Sequence, residues 1–181
     1  MVLALINVMA HLIMAIVFSI SAGSKLRSRR AMRDLVEWTR ALPVVPVRMR
    51  RATAVGLVSL EVGLAVGAVV SLVMREAATA SIVEFAVATA MLASFAVALG
   101  WLVAKGIRRP CMCFGKSTTS IGPVHIIRAV LLAGIAITGL IAARQPLPGL
   151  GAVSMSVGVS IILALFLVRL EDVVTAIAWL G

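Results

Sequence analysis

Two cysteines, Cys111 and Cys113, stand one residue apart in the stretch RRPCMCFGKSTTSIGPVHIIRAV and are the only thiols of the 181-residue chain. Arg108 and Arg109 precede them and Lys116 follows, so positive charge lies within a few residues of both. Pro123 suits the first turn of a helix, whose positive dipole end would face the loop. Cationic neighbours and a helix N-terminus favour thiolate, the species that attacks disulfides and binds metals. Gly115, directly after Phe114, would let the backbone turn tightly past the thiols. Three readings of the pair are open on these residues. A C-x-C disulfide closes a small, strained ring, and strain makes it easy to reduce, which suits exchange rather than structural support. A metal site would have His125 as its one nearby further ligand, short of the donor sets of structural or catalytic zinc. Soft Cu(I) could be held by the two thiolates and Met112. The third reading is a loop with two inert thiols.

Four ionisable groups lie inside long apolar runs: His11, Glu61, Glu84 and Arg128. Such groups are costly in lipid and mark a partner or a pathway. Arg128 and His125 share a helix face by their i,i+3 spacing. They face inward beneath the dithiol, or the arginine reaches up to the interface. His11 falls near the middle of the first apolar run, and Glu61 roughly 14 Å into the second. A His11–Glu61 hydrogen bond is therefore expected, either clamping two helices or holding a proton. Glu84, near the outer end of its run, is expected to reach water.

The elements that must position these residues follow from composition. The chain is 62% hydrophobic and 13% charged, with a mean hydropathy of +1.14. Soluble domains are roughly 45–50% apolar and about 25% charged, so lipid is the solvent implied. With no Tyr and mostly aliphatic apolar residues, the pattern is helical; transmembrane barrels alternate and carry aromatic girdles. A bilayer core needs about 20 apolar residues per helix. Val2–Ala22, Ala52–Met74, Ile82–Val103 and Val124–Ala143 meet that need, and Ala152–Val168, shorter and with early Gly and Ser, is a fifth candidate. The expected fold is all-α, a polytopic membrane bundle of four core helices plus a fifth. Residues 1–151 would form the four-helix domain, and 152–181 the fifth helix and a tail. The first run lacks a charged start and exceeds a secretory h-region, so it is expected to be retained.

Between the first two spans, SKLRSRRAMRDLVEWTRALPVVPVRMRR carries nine Lys or Arg against two acids. Within this basic segment, 25–51, Met32, Leu35, Val36, Trp38 and Leu42 cluster on one side. That predicts a short helix lying on the headgroups, ended by Pro43 and Pro46. Of the seventeen Lys and Arg, only Arg75 and Arg144 fall on the opposite face. The positive-inside rule then puts the N-terminus outside and the cysteine loop, 105–123, in the cytoplasm of an inner-membrane protein. Charge distributed this way reflects topology, and no nucleic-acid partner is expected.

Several stretches resemble the methylamine-utilisation MauE proteins, within the broader DoxX-like membrane family. SISAGSKL is similar to the family's Gly-x-Lys-Leu exit from helix one, here Gly23, Lys25 and Leu26. SLEVGLAVG is similar to the acidic residue and glycine of helix two, here Glu61 and Gly63. CMCFG followed by IGPVHIIRA resembles the Cys-x-Cys-Phe-Gly loop and its arginine-bearing helix, here Cys111, Cys113, Phe114, Gly115 and Arg128. The resemblance runs from about Ala15 to Ala143. It implies a thiol–disulfide oxidoreductase component in which Cys111 and Cys113 exchange with a thioredoxin-like protein. Arg108, Arg109, Lys116 and Arg128 would stabilise the thiolate, and a lipid-soluble quinone is a candidate electron acceptor by analogy with other membrane disulfide-generating proteins. The alternative is a non-catalytic anchor or assembly subunit of a larger membrane complex, with small-residue spans such as GLAVGAVV packing closely.

Overall fold

The structure, a computed structural model, describes residues 2–41, 45–74, 78–107, 121–145 and 150–180. Seven α-helices follow one another among the described residues: α1 (Val2–Leu26), α2 (Arg29–Trp38), α3 (Arg50–Met74), α4 (Ala78–Ala104), α5 (Pro123–Ala142), α6 (Leu150–Val168) and α7 (Leu170–Leu180). No strand occurs among those residues. Helices α1, α3, α4 and α5 are each long and apolar enough to cross a membrane, as hydropathy indicates. Helix α6, 19 residues of apolar sequence, packs along α1. The chain is an integral membrane protein built as a helical bundle.

Helix α1 is the central element, in contact with α3, α5 and α6, while α4 pairs mainly with α5. Small residues let these backbones approach, since lipid supplies no hydrophobic force to press helices together. Ala10, Ala88 and Ala136 are almost fully buried around Phe85, which has no exposed surface. Gly139 on α5 leaves the space the Phe85 ring occupies. A Cβ there would stand 2.5 Å from Phe85 Cε1 and 2.9 Å from the Ala10 Cβ. Outside, the bundle is apolar in the way a water-facing surface is not: Val73, Val97, Ile141 and Ile162 are each about 70% exposed. Acyl chains are the solvent that tolerates such a surface.

Helix α2 forms where the basic segment predicts a helix. Ser28 caps it, accepting a hydrogen bond from the Ala31 amide at 3.1 Å. Its apolar side, however, is covered by protein and not by headgroups. Leu35 packs with Ala54 and Val58 of α3. Trp38 packs with Leu99 and Leu102 of α4 and with Ile121 and Ala129, and its ring lies 5.8 Å from that of Phe95. Leu35 and Trp38, three residues apart, thus each fill a place against the neighbouring helices. Arg29, Arg30, Arg33 and Arg40 remain exposed. The helix stops before the prolines, in a 3₁₀ turn at Thr39–Ala41 whose Thr39 hydroxyl donates to the Val36 carbonyl at 2.6 Å.

The connection between α4 and α5 is anchored on both sides. Gly106, at φ 67°, ends α4. The Ile107 amide donates to the Leu102 carbonyl and the Gly106 amide to that of Val103, both at 3.0 Å. These two bonds make a Schellman motif, with glycine in the left-handed position it favours. Ile107 is turned back against Leu99 and Leu102. On the far side Gly122 precedes Pro123 at the start of α5, the position that proline suits. The segment between them, 108–120, lies outside the described residues, and with it Arg108, Arg109, Cys111, Cys113 and Lys116.

Replacing Gly139 by Ala should lower the thermal unfolding midpoint of the detergent-solubilised chain, at a cost of about 1–3 kcal/mol from overpacking. Gly134→Ala, where an added methyl meets nothing within 4 Å, should leave the midpoint unchanged or raise it slightly. Circular dichroism melts of the two variants make the comparison.

Candidate functional site

Lys25 lies on the last turn of α1 with only 5% of its surface exposed. Its ammonium donates to both oxygens of Glu61, at 2.6 and 2.8 Å, and to the Ser21 hydroxyl at 2.7 Å. Ser21 Oγ in turn donates to Glu61 Oε1 at 3.0 Å. The side chains of both charged residues are 5% exposed. Two charges removed from water to this degree are tolerable only with close pairing and further hydrogen bonds, and Ser21, one helical turn before Lys25, supplies them. The carboxylate sits at the level of Ser21, and the long lysine stem reaches back toward it from the helix end.

This pair forms part of the wall of a cavity between α1, α2, α3, α4 and α5. The space not filled by atoms is about 640 Å³, some of it open to the surroundings. Most of the lining is apolar, with Phe18, Leu35, Leu57, Met91, Phe95 and Leu132 contributing, and Lys25, Glu61, His125 and Arg128 are its charged or titratable members. Trp38 also lines it, and its indole N–H is buried with no hydrogen-bond partner among the described residues. An apolar chamber with a few convergent polar groups is the general form of a small-molecule site.

His125 and Arg128 enter from the first turns of α5, both buried. The Arg128 guanidinium approaches His125 Nδ1 at 3.5 Å and donates to the Val168 carbonyl at 3.3 Å. Glu171, in the first turn of α7, brings a carboxylate oxygen to 3.9 Å from the same His125 nitrogen. The end of α6 and the start of α7 thus hold the arginine and histidine in place. Arg128 is thus buried rather than snorkelling, while the dithiol it is expected to lie beneath falls outside the described residues.

The expected His11–Glu61 bond is absent, because Glu61 is taken by Lys25 and Ser21. Ser21 follows His11 by ten residues along α1, roughly 15 Å, so the two polar groups occupy different levels. His11 instead faces Glu84, Nε2 to Oε2 at 4.0 Å. Glu84, expected to reach water, is buried at 9% exposure. The structure therefore assembles Lys25, Glu61, His125 and Arg128 at one level and His11 with Glu84 at another. Sequence reasoning passed over Lys25, Ser21 and Trp38 as site members, and Glu171 altogether. The signal available for Lys25 was its i,i+4 relation to Ser21 and its place beside the Gly23 exit. For Glu171 no signal existed, since its segment reads as a tail. Among the described residues, no three His, Cys, Asp or Glu side chains come together as a metal site would need.

Residues 2–142 match the family model described as Methylamine utilisation protein MauE, which spans α1 to the end of α5. No curated protein matches the chain at a significant level, and no solved structure does so either.

Removing one member of the Lys25–Glu61 pair leaves the other charge buried alone. Lys25→Met or Glu61→Gln should each destabilise the bundle by about 3–5 kcal/mol, with the double variant recovering most of the loss. A double-mutant cycle by unfolding in detergent reads the coupling; additive losses would mean the pair is not coupled in the folded protein.

Proposed function

The chain belongs to the MauE family, and from that premise we propose that it is a membrane component of thiol–disulfide exchange, acting through Cys111 and Cys113. One observation carries this reading. Lys25, Glu61 and Arg128 come from three separate stretches of sequence that bear the family resemblance, and all three line one cavity. The cavity lies at the end of the bundle where residues 108–120 link α4 to α5. Ile107 packs with the cluster of Leu99 and Leu102, and Cys111 follows it by four residues of sequence, which supports this reading. Wider kinship with DoxX-like membrane proteins belongs to the same reading and rests on the Gly23–Lys25–Leu26 and Glu61–Gly63 stretches.

In the proposed cycle the thiolate of a reduced thioredoxin-like partner attacks the Cys111–Cys113 disulfide. A mixed disulfide forms and one cysteine of the chain leaves as thiolate. The partner's second thiol then displaces the remaining cysteine, so the partner is oxidised by two electrons and the chain holds a dithiol. Arg108, Arg109 and Lys116, with Arg128 beneath, stabilise the thiolate that leaves or attacks. Reoxidation transfers two electrons and two protons from the dithiol to a lipid-soluble quinone, giving quinol and restoring the disulfide. The mostly apolar cavity, with cationic donors at one side, suits a ring carrying carbonyl oxygens on an apolar tail. By the positive-inside rule the cavity end, which carries most of the basic residues, faces the cytoplasm.

Single Cys111→Ser and Cys113→Ser variants should trap a partner as a mixed disulfide, seen as a reducible band on non-reducing gels. A chain that traps nothing, together with a Cys111→Ser/Cys113→Ser double variant of full function and unchanged co-purification, would instead favour an assembly subunit. Sidedness has its own measurement. Membrane-impermeant thiol reagents should label the cysteines in inverted vesicles and spare them in intact cells, and the opposite pattern would reverse the orientation.

A further inference from the structure

A second buried polar group lies toward the other end of the bundle, away from the cavity. His11 and Lys25 are fourteen residues apart on α1, roughly 21 Å along its axis. Between the two levels the inward side of α1 is apolar, with Ile13, Met14, Val17 and Phe18 each at 1–2% exposure. His11 is itself 1% exposed. Its Nδ1 lies 2.9 Å from the Asn7 carbonyl. A carbonyl only accepts, so Nδ1 carries the hydrogen and the neutral ring turns a lone pair outward at Nε2. That lone pair points toward Glu84 Oε2 at 4.0 Å.

Glu84 is bound on one side only. The Ser71 hydroxyl of α3 donates to its Oε2 at 3.0 Å, and Gly67, one turn earlier, leaves room beside the carboxyl. Oε1 of Glu84 and Nε2 of His11 are both buried, with no hydrogen-bond partner among the described residues. The Phe85 ring closes the imidazole from the edge at 4.5 Å. Among the described residues, no Lys, Arg or Asp lies within ion-pair distance of either group. From α1 the pair is met by Asn7, and from α3 by Ser71, both uncharged.

We propose that His11 and Glu84 form a proton-binding site that holds one proton between them. Without a proton, a carboxylate and an imidazole lone pair would face each other in an apolar interior, with two acceptors and no donor. With two protons the imidazolium and the neutral acid would leave one net charge buried without a counter-ion. With one, the pair is neutral overall, whether the proton sits on Glu84 or on Nε2. The 4.0 Å separation is about one ångström beyond a hydrogen bond, a gap that side-chain rotation spans. The ligand is thus a proton, and the site stands independently of the cysteine chemistry.

The test uses the full chain in detergent or nanodiscs near neutral pH. The chain has two histidines, so His125→Gln leaves His11 as the sole source of a ¹⁵N-histidine signal. One proton gives one of two signatures: an imidazolium at His11 with no buried carboxylic-acid band in the infrared, or that band with a neutral ring protonated at Nδ1. In either case Glu84→Ala should abolish the signature, leaving Nε2 a bare lone pair and Nδ1 protonated. Both signatures at full strength together, or neither, would overturn the proposal. So would a hydrogen on Nε2 with Nδ1 bare, or an Nε2 resonance that Glu84→Ala does not move. If Glu84→Ala fails to fold, the count on the chain with Glu84 intact still decides the matter. Loss of thiol exchange in a Cys111→Ser/Cys113→Ser chain should leave the His11 signature in place, which separates the two readings.

Discussion

A lysine and a glutamate buried together in an apolar bundle form the constraint from which the cavity end is organised. The Lys25–Glu61 pair can exist only if α1 and α3 are held at one offset, because a shift of one residue would carry both Glu61 carboxylate oxygens away from the ammonium and hydroxyl that α1 presents. With that offset set, the chain leaving α1 must turn at once. Ser28 starts α2 there, and Leu35 and Trp38 find their places against α3, α4 and α5. The cavity is what remains between these five elements, and the ion pair is part of its wall.

Lipid imposes the complementary requirement. The outer spans α3, α4 and α5 turn large aliphatic side chains outward, so contacts between helices cannot draw on the exclusion of water from those surfaces. They rely on shape and on polar groups satisfied internally. Phe85 in the slot left by Gly139 and the paired charges of Lys25 and Glu61 are two forms of that rule. The indole N–H of Trp38, without a hydrogen-bond partner among the described residues, is an exception set in the cavity wall, where a bound molecule would meet it.

The spans could be read from sequence because a bilayer core demands a fixed length of apolar residues, and their positions in the structure agree to within a few residues. Helix α1 runs four residues beyond its apolar run because Lys25 is solvated by Glu61 and Ser21 in place of water. Pairings between spans were less legible. Counting residues along a helix gives depth, and only approximately, so His11 was matched with Glu61 when the two lie at different levels. Rotation about the axis, which decided that Glu84 turns inward to His11, depends on which helices become neighbours. The headgroup-lying helix was read correctly as a helix and wrongly as to its cover, since amphipathicity alone does not distinguish lipid from a neighbouring protein surface. Family resemblance marked Lys25, Glu61 and Arg128 without indicating that they meet.

The two polar levels on α1 also divide the membrane electrically. Their separation, roughly 15 Å from His11 to the level of Ser21, is about half of a typical hydrocarbon thickness of about 30 Å. A unit charge carried from one level to the other would cross a similar share of the transmembrane voltage, about 1.2 kcal/mol of work per 100 mV. The apolar layer of Ile13, Met14, Val17 and Phe18 acts as the insulator of that capacitor. Chemistry confined to either level is nearly indifferent to the resting potential, whereas any process that linked them would be driven or opposed by it.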